Sequence, residues 1–155
     1  MGLMRRAAKG ALGGFTGTLV LSGFRELLAA IDLVGVTAPQ QVIAKLEEIG
    51  LLDDWSPEAR QALTVAAHLA YGTGLGTAMG LLRREPGGTA DELAVGSALG
   101  ILSWGAGWAG WMPLAGVHEP PWEEYTPKVL LPVLDHAVYG AAWGLAYKVL
   151  RSGRV

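Results

Sequence analysis

The sequence predicts an all-α integral membrane protein built as a four-helix bundle, and three observations lead to this fold class. Charged residues make up only 17% of the 155 residues, against about 25% in soluble domains. Two stretches, 61–82 and 93–117, contain no Asp, Glu, Lys or Arg, and a bilayer span needs about 20 apolar residues. The pattern His-x-x-Tyr-Gly-x-x-x-Gly occurs twice inside apolar segments, beginning at His68 and at His136.

We predict a single membrane domain, 1–155, whose spans cover residues 10–31, 61–82, 93–112 and 128–148. The first span is interrupted by Arg25 and Glu26. A cleaved signal peptide is the alternative for this segment, because basic residues precede its apolar core. We expect a retained helix instead, since apolar character resumes after Glu26.

The distribution of charge predicts the orientation of these spans. Positively charged residues favour the cytoplasmic side of a membrane protein. Eight of the 12 basic residues flank the spans on one side, and eight of the 14 acidic residues lie in the loops on the other side. We therefore expect both termini in the cytoplasm. The basic residues on that side are Arg5, Arg6, Lys9, Arg83, Arg84, Lys148, Arg151 and Arg154, and the acidic residues opposite are Glu47, Glu48, Asp53, Asp54, Glu58, Glu119, Glu123 and Glu124.

The first outer loop is predicted to contain a short amphipathic helix, 39–49, at the membrane interface. Apolar residues recur there at helical spacing, with polar residues between them. Pro39 suits the first turn of a helix, and Gly50 suits its end. A lid over a pocket is the alternative interpretation of this segment.

The two His-x-x-Tyr-Gly segments suggest a tandem two-helix repeat. The first and third spans match more loosely, through Gly10 with Gly96 and Gly14 with Gly100. A chance likeness between glycine-rich segments is the alternative. Small residues four apart share one helix face and let membrane helices approach closely.

Each of three spans carries such a small-residue stripe, and each stripe includes one ionisable side chain. Ionisable residues in a membrane segment usually face the bundle interior. We therefore expect Glu26, His68 and His136 to meet in the outer half of the bundle. The stripes are Gly14, Thr18, Ser22 and Glu26; His68, Gly72, Gly76 and Gly80; and His136, Gly140 and Gly144.

Three interpretations of this cluster stay open. The side chains could hydrogen-bond only to tie helices together, as in a structural or accessory membrane subunit. Glu26, His68 and His136 could bind a divalent metal, since imidazole and carboxylate suit zinc or iron. The cluster could also relay protons or bind a small ligand, because imidazole titrates near neutral pH. For that role we add Asp135, Tyr71 and Tyr139, while Arg25 could pair with Asp135 or Glu26.

Other functional classes find little support in the sequence. The net charge of −2 and the lack of a basic patch argue against nucleic acid as a partner. The absence of cysteine excludes disulfides and thiolate chemistry. No catalytic residue is predicted, and an enzyme is the less favoured class. The expected partners are the lipid bilayer and, through exposed helix faces, a homo-oligomer or a larger membrane complex.

The chain resembles the YagU-like bacterial inner-membrane proteins. The likeness rests on the His68 segment ending in Arg83 and Arg84, on MPLAGVHEPPWEEY at 112–125, and on the His136 segment ending at Arg151. The resemblance implies Pro113, Leu114, Gly116, Pro120 or Pro121, Trp122 and His136 as family positions. It also implies a location in the bacterial cytoplasmic membrane and a helical fold, with no particular reaction.

Overall fold

The computed structural model describes residues 2–30, 36–83, 85–123 and 126–153, with the side chains of 126–129 excepted. These residues form helices and connecting turns without a strand, which confirms the all-α class. Ile31, Arg84, Glu124 and Arg154, which entered the predictions of spans and orientation, lie outside the described residues. The helices are α1 (Leu3–Ala29), α2 (Ala38–Glu48), α3 (Pro57–Leu82), α4 (Thr89–Leu114) and α5 (Thr126–Arg151).

The starts of α2 and α3 follow from their sequence. The Ser56 side chain accepts a hydrogen bond from the Ala59 backbone N–H at 3.2 Å, and Pro57 occupies the first helical position. At α2, the Gln40 side chain accepts from the Thr37 N–H at 2.7 Å. The predicted helix over 39–49 is thus present as α2, which is amphipathic and buries Ile43.

The four long helices form two glycine-mediated pairs, α1 with α3 and α4 with α5. A Cβ built on Gly76 would lie 2.3 Å from Gly14 Cα, so α1 and α3 touch backbone to backbone. In the second pair, a Cβ on Gly140 would lie 2.0 Å from the Gly96 carbonyl oxygen. Contacts this close leave no room for a side chain, as expected for small-residue packing of membrane helices.

The contacts support the two-helix repeat but correct its register. Gly14 packs against Gly72 and Gly76, whose repeat equivalents, Gly140 and Gly144, both lie against Gly96. Gly96 therefore takes the place of Gly14, and not of Gly10 as the glycine spacing suggested. The two alignments differ by about one helical turn. Because the glycines recur every four residues, the sequence fits both alignments equally well.

Three aromatic residues of α5 join the two pairs. They follow one another every four residues, are nearly fully buried, and each donates a hydrogen bond to a carbonyl of α3 that lies next to a glycine contact. Tyr139 donates to Gly72 at 2.6 Å, Trp143 to Gly76 at 3.2 Å and Tyr147 to Gly80 at 3.1 Å. We call these three hydrogen bonds the ladder, and they fix how far α5 can slide along α3.

At the end of the bundle where the chain begins, Arg83 follows α3 and meets the start of α4. Its guanidinium donates to Glu92, a fully buried residue, at 2.8 Å and also contacts Asp91. The hydrogen bond to Glu92 raises the pKa of Arg83, so the guanidinium stays charged. Arg6 and Lys9 donate to carbonyls of α3 and α5 at the same end.

One helix of the described residues, Thr89–Leu114, is long and apolar enough to cross a membrane by its length and composition. Core helices of water-soluble proteins can have the same length and composition. The buried hydrophobic cluster of the bundle is small, and it comprises Leu21, Met79, Tyr139, Trp143 and Tyr147.

Candidate functional site

A cavity of about 170 Å³ lies at the opposite end of the bundle, beneath α2. It is bounded by the end of α1, the first half of α3, the last turns of α4 and the start of α5. Five of the six side chains predicted for ligand binding line it, namely His68, His136, Asp135, Tyr71 and Tyr139. The residues of the sequence repeat therefore lie together in the wall of one cavity, and their role in ligand binding stays a prediction.

Arg25, and not Glu26, is the residue that α1 contributes to the cavity. Arg25 Nε lies 2.8 Å from Asp135 Oδ2, whereas Glu26 is exposed and does not line the cavity. At about 100° per residue, Arg25 lies about 20° from Gly14 around the helix, and Glu26 about 120°. Residues four apart advance around the helix, so the predicted stripe leaves the interface before it reaches Glu26. The prediction that Glu26 meets His68 and His136 is therefore wrong.

The two histidines differ in their surroundings. His136 Nδ1 lies 2.7 Å from the Pro132 carbonyl oxygen, which can only accept. The proton therefore sits on Nδ1, and Nε2 of the neutral ring is an acceptor without a fixed partner. His68 is half-buried on α3, and the described hydrogen bonds do not connect it to His136. Neither imidazole ties two helices together through a hydrogen bond among the described residues.

The two tyrosines of the repeat also have different environments. Tyr139 is buried and its hydroxyl donates to Gly72, so it belongs to the ladder as well as to the cavity wall. Tyr71 is 45% exposed and lies where the cavity meets the outer surface of α3. A Cβ on Gly107 would lie 2.9 Å from the Tyr71 hydroxyl, so the glycine makes room for this ring.

Two tryptophans of α4 also belong to the cavity wall, although the sequence did not indicate them as site residues. α4 changes to a π-helical turn over Gly107–Trp111, and Trp108 and Trp111 line the cavity there. π-Helical turns occur often at functional sites. The run Gly-Trp-Ala-Gly-Trp was the available signal, because glycine tolerates irregular backbone and tryptophan is large. Trp108 also packs against His118, with ring centroids 4.2 Å apart and ring planes inclined by 30°.

Three buried polar atoms of cavity-lining residues have no hydrogen-bond partner among the described residues. They are Nε of Arg25, Oδ1 of Asp135 and Nε1 of Trp108. Arg25 Nε nevertheless lies 2.8 Å from Asp135 Oδ2, and all three atoms are closed off from the open space of the cavity.

The predicted metal set is not assembled. Among the described residues, no group of three His, Asp or Glu side chains could hold a metal ion. The replacement of Glu26 by Arg25 explains this, because a guanidinium repels a cation and is not a ligand.

No family model, curated protein or solved structure matches this chain. The resemblance to the YagU-like proteins and the bacterial membrane location that it implies stay predictions.

Proposed function

We propose that this chain is a four-span protein of the bacterial cytoplasmic membrane that binds a small uncharged molecule in the cavity beneath α2. The observation that carries the proposal is the cavity itself, which gathers Arg25, Asp135, His68 and His136 in an otherwise apolar and aromatic wall. Ligand sites typically combine such walls with a few converging polar groups.

The outer surface of the bundle supports the membrane location. Large apolar side chains are exposed on each long helix, for example Leu19 (51%), Val65 (55%) and Leu102 (67%). Soluble monomers rarely expose extended apolar surface. In α4, only 28% of the apolar window is buried. Glycines pack α1 against α3 and α4 against α5, and α1, α3 and α5 also carry exposed large apolar side chains.

The topology can be tested with single cysteines, since the natural chain has none. Asp54→Cys lies before α3 and Glu85→Cys in the turn before α4, and both positions are exposed. We expect a membrane-impermeant maleimide to label Asp54→Cys in intact cells and Glu85→Cys only after permeabilisation. Recovery of the protein in the soluble fraction, or equal labelling of both cysteines, would contradict the proposal.

Binding in the cavity can be tested with 4-fluorophenol and the purified full chain in detergent. We expect saturable binding in ¹⁹F NMR. Ala38→Phe should weaken it, because Ala38 lines the cavity. Ala44→Phe is the matched control, since Ala44 is exposed on the same helix and away from the cavity. Non-saturable binding, or an equal response of the two variants, would refute a ligand site here.

A structural or accessory subunit is the second candidate, and the Arg25–Asp135 contact favours it because the contact joins α1 to α5. In that case His136→Ala should leave stability almost unchanged, since its bond to Pro132 is local. No small molecule should then bind saturably.

A further inference from the structure

Arginine and lysine side chains are compensated at one end of the bundle and not at the other. At the α2 end, each of the three whose side chains the structure describes contacts a carboxylate. Positive charge at that end is therefore balanced locally. The pairs, with their nitrogen–oxygen distances, are Arg25 with Asp135 (2.8 Å), Lys45 with Glu48 (2.9 Å) and Arg60 with Glu47 (3.1 Å).

The end where the chain begins has a surplus of positive charge. Six arginine and lysine residues and three acidic residues are described there, so the surplus is three charges. Asp91 and Glu92 both contact Arg83, and Glu85 belongs to none of the described ion pairs. We call the six basic residues the basic end of the bundle, and they are Arg5, Arg6, Lys9, Arg83, Lys148 and Arg151.

Three residues of the basic end donate to uncharged oxygen atoms. Such bonds fix the position of a cation but leave its charge in place. Arg5 is exposed and lies one helical turn before Lys9, on the same face of α1. The bonds run from Arg6 Nε to the Gly80 carbonyl (3.3 Å), from Lys9 to the Leu150 carbonyl, and from Lys148 Nζ to Thr89 Oγ1 (2.8 Å). The described ion pairs do not include Arg5, Arg6, Lys9 or Lys148.

The helix dipoles do not cancel this surplus. A helix carries about half a positive charge at its first turn and about half a negative charge at its last turn. α1 and α4 begin at the basic end, and α3 and α5 finish there. The two positive and the two negative helix ends compensate one another, so the charge of the side chains remains.

The basic end lies at the level of lipid headgroups if the bundle spans a bilayer. Lys9 directly precedes the first predicted span and Lys148 closes the fourth. At 1.5 Å per residue, Arg5 lies about 8 Å beyond Gly10 along α1. The headgroup layer extends about 5–8 Å beyond each side of the hydrocarbon core. Lipid phosphates therefore lie beside these side chains.

We propose that the basic end binds the phosphate headgroups of anionic phospholipids. This inference rests on the four-span topology of the proposed function and adds an interaction partner at the end remote from the cavity. The contacts fall to Arg5, which is exposed, and to Lys148, whose bond to Thr89 is exposed. Arg6 and Lys9 are half-buried and add to the attraction through their charge.

The position of these charges favours a lipid over a soluble anion or an acidic protein. A lipid phosphate already lies at this level and can approach the bundle from any side. A soluble partner would have to displace headgroups to reach the same side chains. Anionic lipids attract basic residues near the bilayer surface by about 1 kcal/mol each, which corresponds to about fivefold in affinity.

The experiment compares the two ends of the full chain in nanodiscs, whose two leaflets have the same composition. Ser152→Cys places a fluorophore at the basic end, and Leu51→Cys places one at the α2 end. Both residues are exposed, and neither substitution changes the charge. The quenchers are phosphatidylglycerol and phosphatidylcholine that carry a nitroxide near the start of one acyl chain. We expect half-maximal quenching at Ser152→Cys at an about fivefold lower fraction of phosphatidylglycerol than of phosphatidylcholine.

Charge substitutions test the assigned residues. Arg5→Gln combined with Lys148→Gln should reduce the preference for phosphatidylglycerol at Ser152→Cys to less than about twofold, because the surplus falls from three charges to one. Lys45→Gln is the control, since Lys45 lies at the other end and is paired with Glu48. It should leave the preference at Ser152→Cys unchanged. NaCl at about 1 M should remove the preference, because the Debye length falls to about 3 Å.

Each result bears on one step. Equal quenching by the two lipids at Ser152→Cys, or the same preference at Leu51→Cys, would overturn the proposal. An unchanged preference in the double variant would overturn the assignment of Arg5 and Lys148. Loss of the preference in millimolar inorganic phosphate at constant ionic strength would identify free phosphate as the occupant and exclude the lipid. Maleimide labelling of Asp54→Cys and Glu85→Cys tests the topology separately, so the proposed function can survive the failure of this inference.

Discussion

A buried arginine–carboxylate contact lies near each end of the bundle, and the two contacts are built differently. Glu92 Oε1 accepts from Arg83 Nε, from Arg83 Nη2 and from the Gly87 backbone N–H, and Glu92 is fully buried. Asp135 contacts Arg25 alone, and it lines a cavity. Each carboxylate leaves one oxygen unbonded among the described residues, and of the two residues Asp135 belongs to the wall of the cavity whereas Glu92 does not.

The two contacts illustrate two roles that a buried carboxylate can have. A carboxylate surrounded by donors holds a turn and two helix ends in place, and its removal leaves several groups unsatisfied. A carboxylate with one partner, in the wall of an open space, can influence the reversible binding of a small molecule there. We therefore expect the Glu92 end to determine stability and the Asp135 end to determine binding.

The largest effect is expected at Glu92. Glu92→Ala leaves the Arg83 guanidinium and the Gly87 N–H without their acceptor, and breaking a buried pair costs about 3 kcal/mol or more. The free energy of unfolding in mixed detergent micelles measures this loss. Asp91→Ala is the control, because its carboxylate contacts the same arginine but is 49% exposed, where such contacts contribute about 0–1 kcal/mol. Equal losses in both variants would contradict the distinction.

A smaller loss of about 1–3 kcal/mol is expected for Gly76→Ala, between the two ends. The added methyl would meet the Gly14 backbone, so α1 and α3 must separate along their whole contact. Gly74→Ala is the matched control on the same helix, and it should be neutral or slightly stabilising, since alanine favours helix over glycine. If Gly76→Ala unfolded no more easily than Gly74→Ala, the backbone contact would not hold the pair together.

Asp135→Asn should separate stability from binding. The amide keeps the shape and still faces Arg25, which is 18% exposed and can be hydrated, so we expect an unfolding loss of about 1 kcal/mol. Binding of 4-fluorophenol should fall, because the loss of the negative charge leaves the Arg25 guanidinium unbalanced in the cavity wall. Titration by NMR and unfolding of the same preparation give both values. A stability loss as large as that of Glu92→Ala would place Asp135 among the structural residues.

Much of the architecture followed from local sequence patterns. The apolar spacing over 39–49 predicted α2, and the His-x-x-Tyr-Gly repeat predicted that His68 and His136 lie together, as they do in the wall of one cavity. These features depend on the spacing of residues within one helix, and that spacing can be read directly from the sequence.

What could not be predicted depends on rotation and contact between helices. Residues four apart differ by about 40° around a helix. Three such steps from Gly14 leave Glu26 outside the interface, whereas Arg25 lies within it. The one-turn shift that pairs Gly14 with Gly96 as equivalents arises from inter-helix contact, and so does the bond of Trp143 to α3. The π-helical turn that directs Trp108 to the cavity has no periodic signature in the sequence.

The smallest effects, about 1 kcal/mol, are expected when either tyrosine of the ladder loses its hydroxyl. Tyr147→Phe removes bonds to the carbonyls of Gly80 and Arg83 at the Glu92 end, and it should reduce the free energy of unfolding without changing binding. Tyr139→Phe removes the bond to Gly72 within the cavity wall, and it should reduce stability by a similar amount and also weaken 4-fluorophenol binding. Because both substitutions remove one tyrosine hydroxyl, at different positions along α5, a binding defect in both would mean that the ladder transmits strain along the helix. A defect in Tyr139→Phe alone would assign binding to one end of the bundle.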